Sequence, residues 1–220
     1  MNIDRQTMEV DIACVGFGPA TAGFMHTLSQ AMTAEDGSVL LQSKVMPGMP
    51  LQVVCYERAD DIGFGVSGVV TRGKALRESF PDLDPTQMPM AASVSDEQVL
   101  YLKDPLGKSR RSSGVRMLDR LFGLLGTSDH AVKLPYIPPF LCKKNGLVLS
   151  IGQFSQWIGS QLMGSGLVQV WPGMPVSEPL LEEDRVVGIR LVDQGVETDG
   201  TAGPGYMPGM DIRAHLTVVG

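Results

Sequence analysis

The apolar positions change rhythm along the chain, and each change predicts a different element. Val10–Val15 reads Val-Asp-Ile-Ala-Cys-Val, a short and nearly continuous apolar run of the kind found where helices cover both faces of a parallel sheet. From about Pro19 to Met32 the spacing becomes helical, with Met25, Leu28 and Met32 on one face and proline in the first turn, where its missing N–H costs nothing. A Gly-, Pro- and Met-rich loop over about 35–50 leads to a second strand, Leu51–Tyr56, so strand, helix and strand form a right-handed crossover unit. Arg58–Gly73 is a glycine-rich loop that lets backbone pass close to a ligand.

From Ala75 to about Asn145 the grammar is different, with proline-punctuated turns, a strand candidate Glu97–Lys103 and a short helix candidate Val115–Leu125. This stretch reads as an insertion. Leu147–Ser150 resumes the strand pattern, and a helix to about Met163 turns Phe154, Trp157, Ile158 and Leu162 inward. Strand Leu167–Trp171 follows, then Arg185–Val192 and Asp211–Val219, read as an antiparallel excursion around a Gly- and Pro-rich loop, Asp199–Gly209. The expected fold is α/β, a Rossmann-like domain with a parallel sheet, over residues 1–74 and 146–220, with an inserted α+β segment over 75–145.

The junction of the first strand and helix carries the candidate chemistry. In the dinucleotide fingerprint the first glycine makes the tight turn, the second admits pyrophosphate to the backbone, and the third lets helix and strand pack closely. Gly16 and Gly18 fill the first two places and Thr21 stands in the third. The threonine calls for slight separation of helix from strand or a hydroxyl bonded back to the preceding turn, with Gly23 relieving part of the crowding. Glu57 closes the second strand, where a carboxylate accepts hydrogen bonds from a ribose hydroxyl pair. Its greater distance from the glycines is taken up by the 35–50 loop. Free amides at a helix start, with the positive end of its dipole, suit a phosphate.

Composition narrows the function classes. In 220 residues, 43% apolar side chains against 19% charged ones place the chain among globular proteins, and 18 basic against 24 acidic residues give a net charge of -6. No broad basic face for nucleic acid is expected. Cys14, Cys55 and Cys142 are far apart and form no C-x-x-C pair, so no metal is expected and they read as small core hydrophobes of a reducing compartment. Met1-Asn2-Ile3-Asp4-Arg5 resembles neither a signal nor a transit peptide, which makes the expected compartment cytoplasmic. The uncharged stretch 145–177 is broken by glutamines, glycines and Pro172, against a membrane span. His26, His130 and His215 are isolated, and no acid, base or nucleophile stands out as catalytic. Lys108-Ser109-Arg110-Arg111 followed by the apolar helix Met117–Leu125 admits two readings, peripheral contact with an anionic membrane or plain core packing.

Taken together, Asp11–Thr21 with Glu57, the run from Gly63 to Ser67-Gly68, and Ser150-Ile151-Gly152-Gln153-Phe154 with Trp157 resemble the FAD-dependent family that contains electron-transfer flavoprotein:ubiquinone oxidoreductase and its geranylgeranyl-reductase relatives. Gly195-Val196-Glu197-Thr198-Asp199-Gly200, with Gly209-Met210-Asp211-Ile212 and Ala214, is similar to that family's long hairpin. The resemblance implies FAD as cofactor and flavin-mediated electron transfer toward a quinone or an apolar substrate, with a donor or acceptor protein or a quinone as partner. It implies Gly16 and Gly18 at the pyrophosphate, Glu57 at the adenosine ribose, the Ser67-Gly68 loop near the ribityl or flavin end and Val176 by the adenine. Pro19, Ala20, Arg58 and Gly63 complete the candidate cofactor-binding set. The chain reads as the amino-terminal part of a longer flavoenzyme, without the cysteine quartet of a four-iron cluster. Alternatives are an NAD(P)-binding oxidoreductase and a non-catalytic dinucleotide-binding relative.

Overall fold

A computed structural model describes residues 4–64, 68–81, 84, 87–104, 111–124 and 130–220. The first half of the chain forms β1 (Thr7–Val15), α1 (Pro19–Met32), β2 (Val53–Tyr56), β3 (Gly68–Thr71), α2 (Lys74–Ser79), β4 (Ala92–Ser93) and β5 (Leu100–Leu102). Next come α3 (Ser113–Leu124), β6 (Ala131–Lys133), β7 (Leu147–Ser150), α4 (Ile151–Gly164) and β8 (Val168–Trp171). The chain continues through β9 (Val176–Glu182), β10 (Arg185–Leu191), β11 (Gln194–Val196), β12 (Ala202–Met207) and β13 (Asp211–Val219).

One compact unit comprises 1–69, 74–91 and 149–220. Its six-stranded sheet has the order β8-β2-β1-β13-β10-β9. β8, β2, β1 and β13 run parallel, β1 pairing with β2 from Ile12↔Val53 to Val15↔Tyr56 and with β13 from Thr7↔Asp211 to Val15↔Val219. β10 and β9 are antiparallel to their neighbours. The expected antiparallel excursion is thus corrected in one respect: β13 is a strand of the parallel core, lying between β1 and β10. Its pairing partner is almost the whole chain away, so local periodicity could not report it. The expected loop Asp199–Gly209 also contains β12, which pairs with β11, and the expected loop Arg58–Gly73 contains β3.

The strands are as apolar as their pattern requires, with Val10, Ala13, Val54, Tyr56, Ile189, Leu191 and Ile212 forming one buried cluster. Helix α1 buries Thr21, Ala22, Met25 and Met32, and α4 buries Phe154, Ile158 and Leu162. Trp157 is only half-buried, its ring tilted 6.0 Å from that of Phe80. Ser150 caps α4 by accepting from the Gln153 amide.

Two buried or half-buried carboxylates tie distant segments to the sheet. Asp11, in the middle of β1, accepts from the backbone amides of Lys44 at 2.7 Å and Gln52 at 2.8 Å, pinning the 35–50 loop. Burial would raise its carboxyl, but the Ser43 hydroxyl and the Gln52, Lys44 and Val45 amides outweigh burial and hold it below the usual carboxylate range. Asp193 accepts both guanidinium nitrogens of Arg5, the Tyr206 hydroxyl at 2.8 Å and the Gly209 amide at 2.8 Å.

The second unit comprises 70–73 and 92–148. In it β5 and β6 form an antiparallel pair, and β4 pairs with Leu147 and Val148 of β7. Arg111 bonds Asp119 at 3.0 Å and the Leu102 carbonyl at 2.8 Å, with its guanidinium 5.8 Å from the Tyr101 ring centre. No residue of α3 is buried, and Met117, Leu118, Leu121 and Leu124 are all exposed, the last at 86%. Among the described residues of this helix, core packing, one of its expected readings, is not observed. Among the described residues, no helix is long and apolar enough to cross a membrane.

Candidate functional site: a cleft at the strand ends

The carboxyl ends of β1, β2 and β13 meet at a cavity of about 640 Å³, where Val15, Tyr56 and Val219 are the last strand residues lining it. Openings at this end of a parallel sheet are where ligands of such folds bind. Gly16 turns the chain out of β1 with φ +85°, a conformation that side chains disfavour, and a Cβ there would press on the Gly220 carbonyl at 3.0 Å. Gly18 is the N-cap of α1 with no side-chain cap, no acid lies in the first turn, and Pro19 stands at the helix start. A Cβ at Gly18 would meet nothing within 4 Å, so that position opens onto the cavity.

Glu57 lines the cleft, half-buried, and braces its wall. One carboxylate oxygen accepts the Phe17 amide at 2.7 Å and the other the Ala59 amide at 2.9 Å. Each oxygen retains a lone pair, so the group can still receive a ligand hydroxyl. The Phe17 bond crosses from the strand-two carboxylate to the middle of the glycine turn. Sequence reasoning gave Glu57 a ligand role; that it also fastens the turn is visible only in three dimensions.

Of the expected site residues, Gly16, Gly18, Pro19, Glu57, Arg58, Gly63 and Val176 line this one cavity. Ala20 lies in the first turn of α1 behind it, and Gly68 opens β3, outside the lining. Ser67 lies outside the described residues, as do Lys108, Ser109 and Arg110. Gly63 has φ +75°, and a Cβ there would overlap the Gly152 carbonyl, so glycine is what lets the 58–64 loop close against the start of α4.

Of the two ways expected to accommodate Thr21, the hydroxyl bond is not formed. Its side chain is buried, but its Oγ1 has no hydrogen-bond partner among the described residues, so no bond returns to the preceding turn. Gly23 has open space around it and relieves nothing. Room for the threonine comes from Gly220, just after β13, where any Cβ would overlap Thr21 Oγ1.

Sequence reasoning passed over Phe64, Ile151, Pro175 and Ser155, which also line the cleft. Ser155 is 1% exposed, and its Oγ has no partner among the described residues. The available signal was a lone serine on the α4 stripe otherwise made of Phe154, Ile158 and Leu162. Cys14 and Cys55 are buried in adjacent register on β1 and β2, and burial pushes the Cys14 thiol up to about 11, which makes it an inert core group. Among the described residues no set of three or more metal-ligating side chains converges.

No family model matches the chain. Among curated proteins it is similar to the electron transfer flavoprotein-ubiquinone oxidoreductase of Pseudomonas aeruginosa, with 28% identity over 98% of this chain and 34% of that protein. The mitochondrial electron transfer flavoprotein-ubiquinone oxidoreductase of Mus musculus is 27% identical over 99% of this chain and 30% of its own length. The chain therefore spans about a third of the length of these curated relatives. Among solved structures it is similar to a geranylgeranyl bacteriochlorophyll reductase-like protein from Thermoplasma acidophilum, at a TM-score of 0.50 and 14% identity, over 97% of this chain and 39% of that one. That likeness is one of fold, a Rossmann-like mixed α/β sheet.

Proposed function

We propose that the chain is the dinucleotide-binding part of an FAD-dependent oxidoreductase, with FAD in the cleft at the ends of β1, β2 and β13. The observation that carries this reading is the convergence on one cavity of an uncapped helix start, a glycine whose Cβ position opens into the space, and the Glu57 carboxylate. The buried, unpartnered Ser155 hydroxyl in the lining fits a polar ligand better than an apolar one. In this reading the amides at the start of α1 receive the pyrophosphate, Glu57 accepts the adenosine ribose hydroxyls, and Val176 flanks the adenine. Arg58 and Gly63 border the same ligand, and the Ser67-Gly68 loop serves its ribityl or flavin end.

When bound, a flavin supplies electron acceptance and release, and the protein's part is to bind, orient and exclude water. Phe17, held by Glu57, keeps the turn in the shape that presents its amides. The names of the relatives specify an electron transfer flavoprotein and ubiquinone, and these support a donor protein and a quinone acceptor for the longer enzyme. The exposed apolar side chains of α3 favour peripheral contact with a membrane in that setting.

FAD and NAD are separated by equilibrium dialysis of the chain against each. Retention of FAD, with loss of it in Gly18→Val, is expected, since the valine fills cavity space without disturbing the fold. Retention of NAD in place of FAD would replace this reading, and unchanged FAD binding in Gly18→Val would remove the site from this cleft. For α3, co-sedimentation of the chain with anionic vesicles that drops on Leu121→Glu is expected; equal sedimentation of the two proteins would discard the membrane contact.

A further inference from the structure

We propose that Ser155 is a ligand-binding residue of the cleft, its hydroxyl donating a hydrogen bond to the pyrophosphate of the bound dinucleotide, a proposal that rests on the FAD reading above. Serines inside helices ordinarily bond back to the carbonyl one turn earlier. Ser160 of the same helix does so, donating to Gln156 at 2.9 Å. Ser155 does not: its Oγ is buried and lacks any partner among the described residues, and the residue is part of the cavity lining. A buried hydroxyl left in that condition is costly unless something in the cavity completes it.

The position along α4 identifies which part of the ligand it meets. One turn further on, a Cβ at Gly159 would lie 3.4 Å from the Phe17 ring and 3.0 Å from Ile62, so this face of the helix rests on the glycine turn. Residues four apart share a helix face, and Ser155 lines the same cavity as Phe17, Gly18 and Pro19. A phosphate at that turn only accepts, and the serine hydroxyl supplies a neutral donor opposite the amides of α1.

The test is Ser155→Ala in the whole chain, with FAD and ADP titrated by calorimetry and the ligand-free melting temperature measured beside them. Loss of one such bond is expected to raise the dissociation constants of FAD and ADP alike, by roughly tenfold. The ligand-free melting temperature should hold or rise, because an unpartnered hydroxyl has been removed. Wild-type affinity for FAD in the variant overturns the role of Ser155 and leaves the cleft reading standing. Weakening of FAD but not of ADP overturns the pyrophosphate assignment, and a ligand-free melting temperature several degrees lower makes the hydroxyl a structural group. If the unaltered chain binds neither FAD nor ADP, the cleft reading fails and this proposal with it.

Discussion

Replacing Glu57 by alanine should damage the protein before any ligand is added. The carboxylate holds the Phe17 and Ala59 amides at 2.7 and 2.9 Å, and both bonds are charge-assisted. Removing such an acceptor costs about 1.5–3 kcal/mol per bond where the donor is left dry. Glu57 is only half-buried beside an open cavity, so water can reach the freed amides and the cost falls below the combined range of about 3–6 kcal/mol, to about 2–3 kcal/mol. For a chain of this size each kcal/mol moves the melting temperature by roughly 2–4 °C, which gives a drop of roughly 4–12 °C. Glu57→Gln keeps one acceptor but turns an NH₂ toward the other amide, so a fall of similar order is expected. Thermal unfolding followed by circular dichroism, without FAD, reads both. A subsequent FAD titration should show a further loss of affinity in the alanine variant. A ligand-free melting temperature within a degree of wild type would refute the bracing role and leave Glu57 as a ligand group alone.

Gly220→Ala should destabilise by about 1–3 kcal/mol through overlap with Thr21, and Thr21→Ala in the same chain should recover much of that; additive penalties in denaturant melts would show that the two do not share the space. Asp11→Asn places an amide group against backbone donors and should lower stability by about 2 kcal/mol, with the 35–50 loop becoming protease-sensitive first; unchanged proteolysis would discount the pin. Asp193 is held well below the usual carboxylate range, first by the Arg5 guanidinium and then by the Gly209 amide. A carboxyl depressed in the folded state contributes fully above its unfolded value of about 3.9 and loses that contribution as pH falls. The stability gap between wild type and Asp193→Asn should therefore be wide at about pH 6 and narrow toward about pH 3, and a constant gap would contradict the pairing.

The strand, turn and helix from Val10 to Met32 were legible because each is written in local spacing, and Glu57 because it ends the next apolar run. Ser155 and Asp11 were harder, since their partners are a cavity and a pair of backbone amides from distant segments, and neither leaves a periodic trace. The Thr21 departure shows the same limit: the residue that accommodates it, Gly220, sits across the sheet and is adjacent only once β13 has docked. Patterns of period two and near four report which face a residue occupies, whereas the identity of the facing atom depends on topology.

The pairing of β1 with β13 also dictates the order of events during synthesis. Val15, which begins the cleft, reaches its neighbour Val219 only after the long stretch of chain between them has left the ribosome. Until then one margin of β1 offers unpaired amides and carbonyls to any extended segment nearby, a template for misassociation that chaperones must shield. Closing so long a loop is slow, so the cleft at these strand ends forms late, and nascent chains stalled short of Asp211 should be the aggregation-prone species.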